Sequence, residues 1–331
     1  MMTVLAEQAV TLGTRAVRVN RKTVEAEGIC SFELVDAVGG PLPSFEAGAH
    51  IDVHLPGGLV RQYSLCNAPR ETHRYCIAVL QEPASRGGSR AMHRDVGVGD
   101  LLTIGGPRNH FALAPQGRHA LLLAGGIGIT PILSMAEALH AQGTGFDLHY
   151  SARSSARMAF ADRLRSAPYA ASVRLHLDEA GSDEALDLGR LLLSTPQHTH
   201  LYVCGPTGFI DAALSTAERN GWDSHRVHRE FFAAPQTNQA TKETVFEVEL
   251  ARSGARVVVE SGMSIVRALE RAGVVVPVSC EQGVCGTCLT RVLEGIPDHR
   301  DAYLTPEERA AGDHLLPCCS RALGPRIVLD L

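Results

Sequence analysis

Cys280-Glu281-Gln282-Gly283-Val284-Cys285-Gly286-Thr287-Cys288 sets three cysteines in the pattern C-x4-C-x2-C, with glycines between them and a fourth cysteine downstream at Cys318. Thiolates ligate iron, and glycines let backbone N–H groups come close to cluster sulfurs, so a compact loop of this kind can wrap two irons. The 29 residues between Cys288 and Cys318 agree with the plant-type spacing of a C-x4-C-x2-C loop and one distant cysteine. A structural zinc site is the alternative, but such sites ordinarily pair cysteines as C-x2-4-C twice over. A two-iron loop needs a source of electrons, and the rest of the chain has to provide it.

The totals bound what that source can be. A chain of 331 residues is long enough for two or three domains, each with its own core. With 45% hydrophobic and 20% charged residues it has the profile of a soluble globular protein, and a net charge of -5 without any basic run argues against nucleic-acid binding. The start, Met1-Met2-Thr3-Val4-Leu5, lacks a positive segment followed by an apolar core, and no apolar run approaches the roughly 20 residues that span a bilayer. No membrane association is therefore expected. Nine cysteines, an odd number crowded toward the C-terminal end, fit metal ligation in a reducing compartment better than disulfides, so a cytoplasmic location is expected.

From about residue 14 to 111 the chain shows short runs of two-residue alternation, among them Ile51, Val53, Leu55 and then Tyr75, Ile77, Val79. Turn signals at Gly39-Gly40-Pro41, Pro56-Gly57-Gly58 and Gly105-Gly106-Pro107 separate the runs, which predicts an antiparallel β-barrel. Within it, Arg61-Gln62-Tyr63-Ser64-Leu65 puts Arg61, Tyr63 and Leu65 on one strand face and Gln62 and Ser64 on the other. A guanidinium suits a phosphate, a tyrosine ring suits a flat heterocycle, and a serine hydroxyl suits a ring nitrogen. A plain barrel strand with a surface arginine would read the same way. Ser85-Arg86-Gly87-Gly88-Ser89 offers successive N–H groups and a hydroxyl before a short helix, either an anion nest or an ordinary glycine turn.

From His119 the texture changes to continuous apolar runs separated by helical stretches, as in a parallel sheet covered on both faces. The strand from His119 to Ala124 runs straight into Gly125-Gly126-Ile127-Gly128-Ile129-Thr130-Pro131, where Thr130 is expected to cap a helix and Pro131 to take its first position. Such a turn lets a pyrophosphate reach the backbone and the positive helix end, although it is not the G-x-G-x-x-G fingerprint. Further strands are expected at Phe146 to Ser151, Val173 to Leu177 and His200 to Val203. The last leads into Cys204-Gly205-Pro206, which puts a thiol at the carboxyl edge of the sheet, where open α/β sheets bind ligands.

Arg61-Gln62-Tyr63-Ser64, the Gly125 to Pro131 turn, Cys204-Gly205-Pro206 and the C-x4-C-x2-C loop stand in the order found in the phthalate dioxygenase reductase family. The chain resembles that family over essentially its whole length, and within it looks most like the vanillate demethylase reductases. The resemblance implies an antiparallel β-barrel binding FMN (residues 1–114), a ferredoxin-reductase-like α/β parallel-sheet NAD domain (115–232), a linker (233–243) and an α+β plant-type 2Fe-2S ferredoxin domain (244–331). Arg61 and the Gly87-Gly88-Ser89 turn would hold the FMN phosphate, Tyr63 and Ser64 would lie along the isoalloxazine, and Phe232, at the end of His228-Arg229-Glu230-Phe231-Phe232, would cover the ring. Gly125, Gly126, Gly128, Thr130, Pro131, Cys204, Gly205 and Pro206 would hold the nicotinamide nucleotide, with Ser151 and Arg153 facing the adenosine ribose. An arginine there could also accept the 2′-phosphate of NADPH, while the family leans to NADH. The resemblance makes Cys280, Cys285, Cys288 and Cys318 the cluster ligands, since the family pattern Pro-Cys-x-Ser-Arg falls on Pro317-Cys318-Cys319-Ser320-Arg321. The neighbouring Cys319 is then a small core residue.

The same resemblance implies an enzyme. Hydride would pass from NADH, docked near Cys204, to the flavin with Ser64 close by, and single electrons would go through the cluster to a terminal oxygenase of the Rieske type, the protein acting as a monomer. FAD in place of FMN, a cytochrome P450 as the acceptor, and a non-catalytic redox sensor or electron-carrier module are the alternatives. In the last quarter, a hairpin is expected over Val245 to Ala251 and Arg256 to Glu260, a helix from Ser264 through Arg271, and a second helix beginning with a capping box at Thr305-Pro306-Glu307-Glu308.

Overall fold

The computed structural model describes residues 13–83, 85, 87–115, 117–178, 185–196, 198–232 and 244–331; the expected linker at 233–243 lies outside them. The chain divides into two compact units, Met1–Glu230 and Phe231–Leu331. Among the described residues no helix is long and apolar enough to cross a membrane.

The first unit begins with a six-stranded antiparallel sheet made of β1 (Thr14–Ala26), β2 (Ile29–Asp36), β3 (His50–Leu55), β4 (Leu59–Ser64), β5 (Tyr75–Leu80) and, after helix α1 (Gly88–Asp95), β6 (Leu101–Gly105). The strand order is β4-β3-β6-β1-β2-β5, and a bridge between Leu65 and Ile77 joins the two ends, closing the sheet into a barrel. The alternation seen in the sequence fills it: Phe32, Leu34, Ile51, Val53, Tyr75 and Ile77 are completely buried. The Tyr75 hydroxyl inside this core donates to the Pro43 carbonyl at 2.6 Å, which spares the cost of a buried unpaired phenol.

Five parallel strands follow in the order β11-β10-β7-β8-β9: β7 (His119–Gly125), β8 (Gly145–Ala152), β9 (Val173–Leu177), β10 (His200–Cys204) and β11 (Val227–Glu230). The helices between them are α2 (Ile129–Gln142), α3 (Ala161–Ser166), α4 (Leu188–Ser194) and α5 (Thr207–Arg219). Strand β7 has β8 on one side and β10 on the other, so the order reverses between β7 and β10, and the turns that follow these two strands open at that switch point. Helix α2 is almost wholly buried through its first two turns and ends at Gly143, whose left-handed conformation (φ 68°) closes the last turn. Its start corrects the sequence reading. A 3-10 turn over Gly126–Gly128 precedes it, with Gly126 in the left-handed region (φ 53°), so the helix begins at Ile129 with Gly128 in the cap position, and the Thr130 hydroxyl donates to the Ile127 carbonyl at 3.0 Å instead of capping. Pro131 is then the third helical residue, still in the first turn, where a missing N–H leaves no intrahelical bond unmade. Barrel residues Ala47, Cys66 and Phe111 share one core with Leu122, Ile132 and Met135 of the sheet layer.

The second unit has a mixed five-stranded sheet in the order β13-β12-β18-β14-β16. It comprises β12 (Phe246–Leu250), β13 (Arg256–Val259), β14 (Thr290–Glu294), β16 (His314–Leu315) and β18 (Arg326–Leu329), with a separate ribbon of β15 (Pro297–Asp298) and β17 (Arg321–Ala322). The β12–β13 hairpin is as expected, and helix α6 (Ile265–Arg271) is capped by the Ser264 side chain, which accepts from the Arg267 N–H. Helix α7 (Pro306–Ala311) starts with the expected reciprocal capping box between Thr305 and Glu308.

Candidate functional site

Three groups of residues gather the chemistry-bearing side chains singled out in the sequence. The first is the β4 segment. Arg61 and the Gly87–Ser89 turn, 26 residues apart, meet: a Cβ on Gly88 would stand 2.5 Å from Cγ of Arg61, so only glycine lets α1 begin this close to the arginine. The Ser89 hydroxyl is engaged within its own turn, donating to Ser85 Oγ at 3.0 Å and accepting from the Glu82 N–H at 3.2 Å. Tyr63 packs against the barrel core, and its burial holds the phenol well above its ordinary pKa. Ser64, buried at the strand end, donates to Oε2 of Glu230 at 3.5 Å.

The second group stands at the carboxyl edge of the parallel sheet. Gly125 ends β7 and pairs with Ser151 on β8, while Cys204 ends β10 and pairs with Glu230 on β11. The two turns that follow touch each other. A Cβ on Gly128 would come within 2.3 Å of the Cys204 carbonyl oxygen, and Gly205 lies against the Gly125 backbone, with Pro206 beside them. Cys204 is completely buried, so burial first and the neighbouring Glu230 second keep its thiol protonated, far from a thiolate nucleophile. Ser151 is 3% exposed and its hydroxyl finds no partner among the described residues, while Arg153, just beyond β8, is exposed. A buried hydroxyl left unpaired costs about 1–3 kcal/mol, which a ribose hydroxyl at this edge would relieve. The residues present thus fit a nucleotide.

Glu230 is the residue the sequence reading passed over. Burial raises its carboxyl pKa to about 8, against the opposing pull of the Ser64 hydroxyl, so at neutral pH it carries a proton. Its segment was considered only for an aromatic cover. The available signal was an acidic residue ending an edge strand, but only the parallel register sets it opposite Cys204 and beside Ser64. Phe232, 37% exposed, belongs to the second unit.

The third group lies wholly in that second unit. Cys280, Cys285 and Cys288 are buried and Cys318 is half-buried. Among the described residues no group of three or more His, Cys, Asp or Glu side chains is set to hold a metal ion. The thiols lie close enough to perturb one another: Cys280 acts on Cys285, and both Cys288 and Cys319 act on Cys318. Cys285 and Cys318 are pushed down by these neighbours, while Cys280, Cys288 and Cys319 are pushed up. Four thiols from one loop and one downstream position match the donor set of a plant-type two-iron cluster. The Cys319 thiol reaches the Leu316 carbonyl at 3.7 Å and packs against the core of the unit. Behind the loop stands Asp301, whose side chain has no exposed surface; it accepts from the Tyr303 and Leu304 N–H groups and from the Ser320 hydroxyl, while the Ala302 N–H donates to the Gly283 carbonyl. This knot ties the C-x4-C-x2-C loop to the strand that follows Cys318.

Comparison with known proteins agrees with both units. Residues 248–323 match the 2Fe-2S iron-sulfur cluster binding domain, and residues 107–227 match the N-terminal domain of dimethylamine monooxygenase subunit DmmA-like proteins. The vanillate O-demethylase oxidoreductase of Pseudomonas putida is 52% identical over 309 residues, 93% of this chain and 96% of that one. The solved phthalate dioxygenase reductase superposes with a TM-score of 0.76 at 40% identity, covering 98% of this chain and 99% of that chain. An intact type IV self-sufficient cytochrome P450 monooxygenase superposes with a TM-score of 0.84 at 39% identity over 96% of this chain, which spans 41% of that longer one. Barrel, nucleotide sheet and iron–sulfur unit together define an NAD(P)H-dependent flavin iron–sulfur oxidoreductase, a reductase of the kind that serves oxygenases. The chain belongs to the phthalate dioxygenase reductase family.

Proposed function

We propose that this reductase takes hydride from NADH, uses FMN and a 2Fe-2S cluster, and delivers single electrons to a terminal Rieske-type oxygenase that demethylates a methoxylated aromatic acid. The chain acts as a monomer in the cytoplasm. The observation that carries the nucleotide part is the contact of the Gly125–Gly128 and Cys204–Pro206 turns at the edge where Ser64 meets Glu230. The substrate class is suggested by the vanillate O-demethylase oxidoreductase relatives.

When bound, the flavin converts the two-electron chemistry of the nicotinamide into the one-electron chemistry of the cluster. The protein's own residues orient and exclude water. Arg61 and the Gly87–Ser89 turn hold a phosphate, Tyr63 supplies a flat face, and Ser64 presents a hydroxyl at the strand end. The neutral Cys204 thiol is completely buried behind the sheet edge and packs beneath it, leaving the backbone of Gly205 and Pro206 to face a ligand. Protonated Glu230 keeps the site uncharged and fixes the Ser64 hydroxyl, so no anion opposes hydride arriving nearby. Ser151 meets a ribose hydroxyl. The exposed Arg153 favours NADPH only if a 2′-phosphate reaches it, and NADH is the donor here. Cys280, Cys285, Cys288 and Cys318 would hold the cluster, which would supply one-electron transfer.

Anaerobic titration with NADH tests the scheme. Flavin and iron–sulfur bands bleach together, released flavin chromatographs as FMN, and product forms with a Rieske oxygenase and a methoxylated benzoate. A preparation without visible absorbance after anaerobic reconstitution, or one using only NADPH, would contradict it. The likeness to the self-sufficient P450 supports a second reading in which a cytochrome P450 is the acceptor; faster reduction of a P450 than of any Rieske protein would favour it.

A further inference from the structure

Barrel and nucleotide sheet lie in one compact unit, and something must hold the flavin strand at a fixed distance from the nucleotide helix. Among the described residues the ion pair that crosses that junction faces solvent. Arg157 pairs with Glu27 at 3.2 Å, but these side chains are 49% and 60% exposed, and such pairs hold little. Arg163 on α3 is different. Its Nη1 donates to the Cys66 carbonyl at 3.2 Å while its Nη2 donates to Oε1 of Glu137 at 3.0 Å. The Tyr169 hydroxyl donates to the same Glu137 oxygen at 3.0 Å, and that tyrosine is only 4% exposed.

The places these groups occupy give the contact its meaning. Cys66 lies two residues beyond Ser64, and its N–H is bonded to the Cys76 carbonyl, so its own carbonyl is a rigid end-point of the flavin strand. Glu137 sits about two turns into α2, the helix whose first turn is Ile129–Pro131. Around them Cys66, Ile132, Met135, Leu164 and Tyr169 belong to one buried core. One guanidinium therefore bridges the end of the flavin strand and the body of the nucleotide helix at the margin of that core, with the Arg163 and Glu137 side chains 36% and 22% exposed.

We propose that Arg163, held by Glu137 and Tyr169, is a positioning residue that sets the flavin strand against the nucleotide helix for hydride transfer. The proposal rests on the assignment of the flavin and nicotinamide sites made above. Hydride transfer needs its reacting atoms about 3–3.5 Å apart, and a misplacement of about 1 Å costs on the order of a hundredfold in rate. A planar guanidinium donates along fixed directions to a carbonyl and a carboxylate at once, whereas an ammonium is a point charge that cannot hold both in the same geometry.

The test uses the full chain with flavin and cluster loaded. Arg163→Met, Arg163→Lys and Glu137→Gln are followed by stopped-flow flavin reduction with NADH and with NADH deuterated at C4, and by the long-wavelength flavin–nicotinamide charge-transfer absorbance. Arg163→Met is expected to slow hydride transfer about tenfold, weaken the charge-transfer band and express the isotope effect more fully, with KM for NADH within about twofold of native. Lysine recovers part of the rate, and Glu137→Gln shifts the same observables less. If Arg163→Met does not keep its flavin, Glu137→Gln decides by itself. Native hydride-transfer rates and an unchanged band in these variants, whatever their melting temperatures, overturn the proposal. Ser64→Ala and Glu230→Gln separate the two failures: if they too reduce flavin at the native rate, the site assignment is what fails; if they slow while the Arg163 and Glu137 variants do not, only the positioning role falls.

Discussion

Two glycine-rich turns organise this molecule, and they use glycine for different ends. In the loop from Cys280 to Cys288 the glycines separate three of the four proposed cluster thiols, and the fourth, Cys318, comes from downstream. In the turn from Gly125 to Gly128 there is no reactive side chain at all. Gly128 is there to let the Cys204 carbonyl approach, and the working groups, Ser64, Ser151, Cys204 and Glu230, come from four different strand ends. A site with three thiols on one short loop needs only one distant partner brought to it, whereas a site assembled across a sheet edge depends on every element that sets the edge.

That contrast can be broken experimentally. The largest effect is expected at the cluster: Cys318→Ser should lose the iron–sulfur absorbance and electron delivery to external one-electron acceptors while NADH still bleaches the flavin, and Cys319→Ser should keep both. The reverse pattern between the two variants would mean that the fourth ligand has been misassigned. Next comes Gly128→Val. A side chain there meets the Cys204 carbonyl, so overpacking is expected to cost about 1–3 kcal/mol in thermal unfolding and to raise KM for NADH more than about tenfold. The cluster spectrum should not change; if it did, the two turns would not be independent. A smaller effect belongs to Glu230. Its carboxyl pKa is raised to about 8, so it is protonated below that pH and becomes an anion as pH rises through it. NADH-driven flavin reduction should therefore fall as pH rises through about 8, and Glu230→Gln should remove that step. A step of equal size in the variant would assign the titration to another group. The smallest change is expected for Ser151→Ala, a loss of about 1 kcal/mol in NADH binding by calorimetry. Unchanged binding would show that no nucleotide hydroxyl reaches Ser151.

How far each region could be read from the sequence follows the same division. The cysteine spacing, the hairpin at Phe246–Leu250 and Arg256–Val259, the Ser264 cap and the Thr305–Glu308 capping box are local patterns, and the structure carries all of them. Barrel strands β3 and β5 and the parallel strands β7 to β10 also stand where alternation and apolar runs indicated, whereas β11 at Val227–Glu230 carried no such signal. The start of α2 went astray because Thr130 and Pro131 look like a cap and a first residue, and nothing local shows that a 3-10 turn at Gly126–Gly128 comes before them and that the helix begins at Ile129. Glu230 was visible only as one letter in a run valued for its aromatic residues.

The amino-acid sequence by itself determined the order of the parts and the candidate thiols, because periodicity, turn residues and cysteine spacing are properties of neighbours along the chain. The tertiary structure decided which distant residues face each other. Register along β10 and β11 brings Glu230 to Cys204, barrel closure brings Ser64 to Glu230, and folding of α3 onto α2 brings Arg163 between Glu137 and Cys66. Those contacts span from about 26 to 166 positions along the chain, and burial, which holds Glu230 protonated, exists only once they have formed.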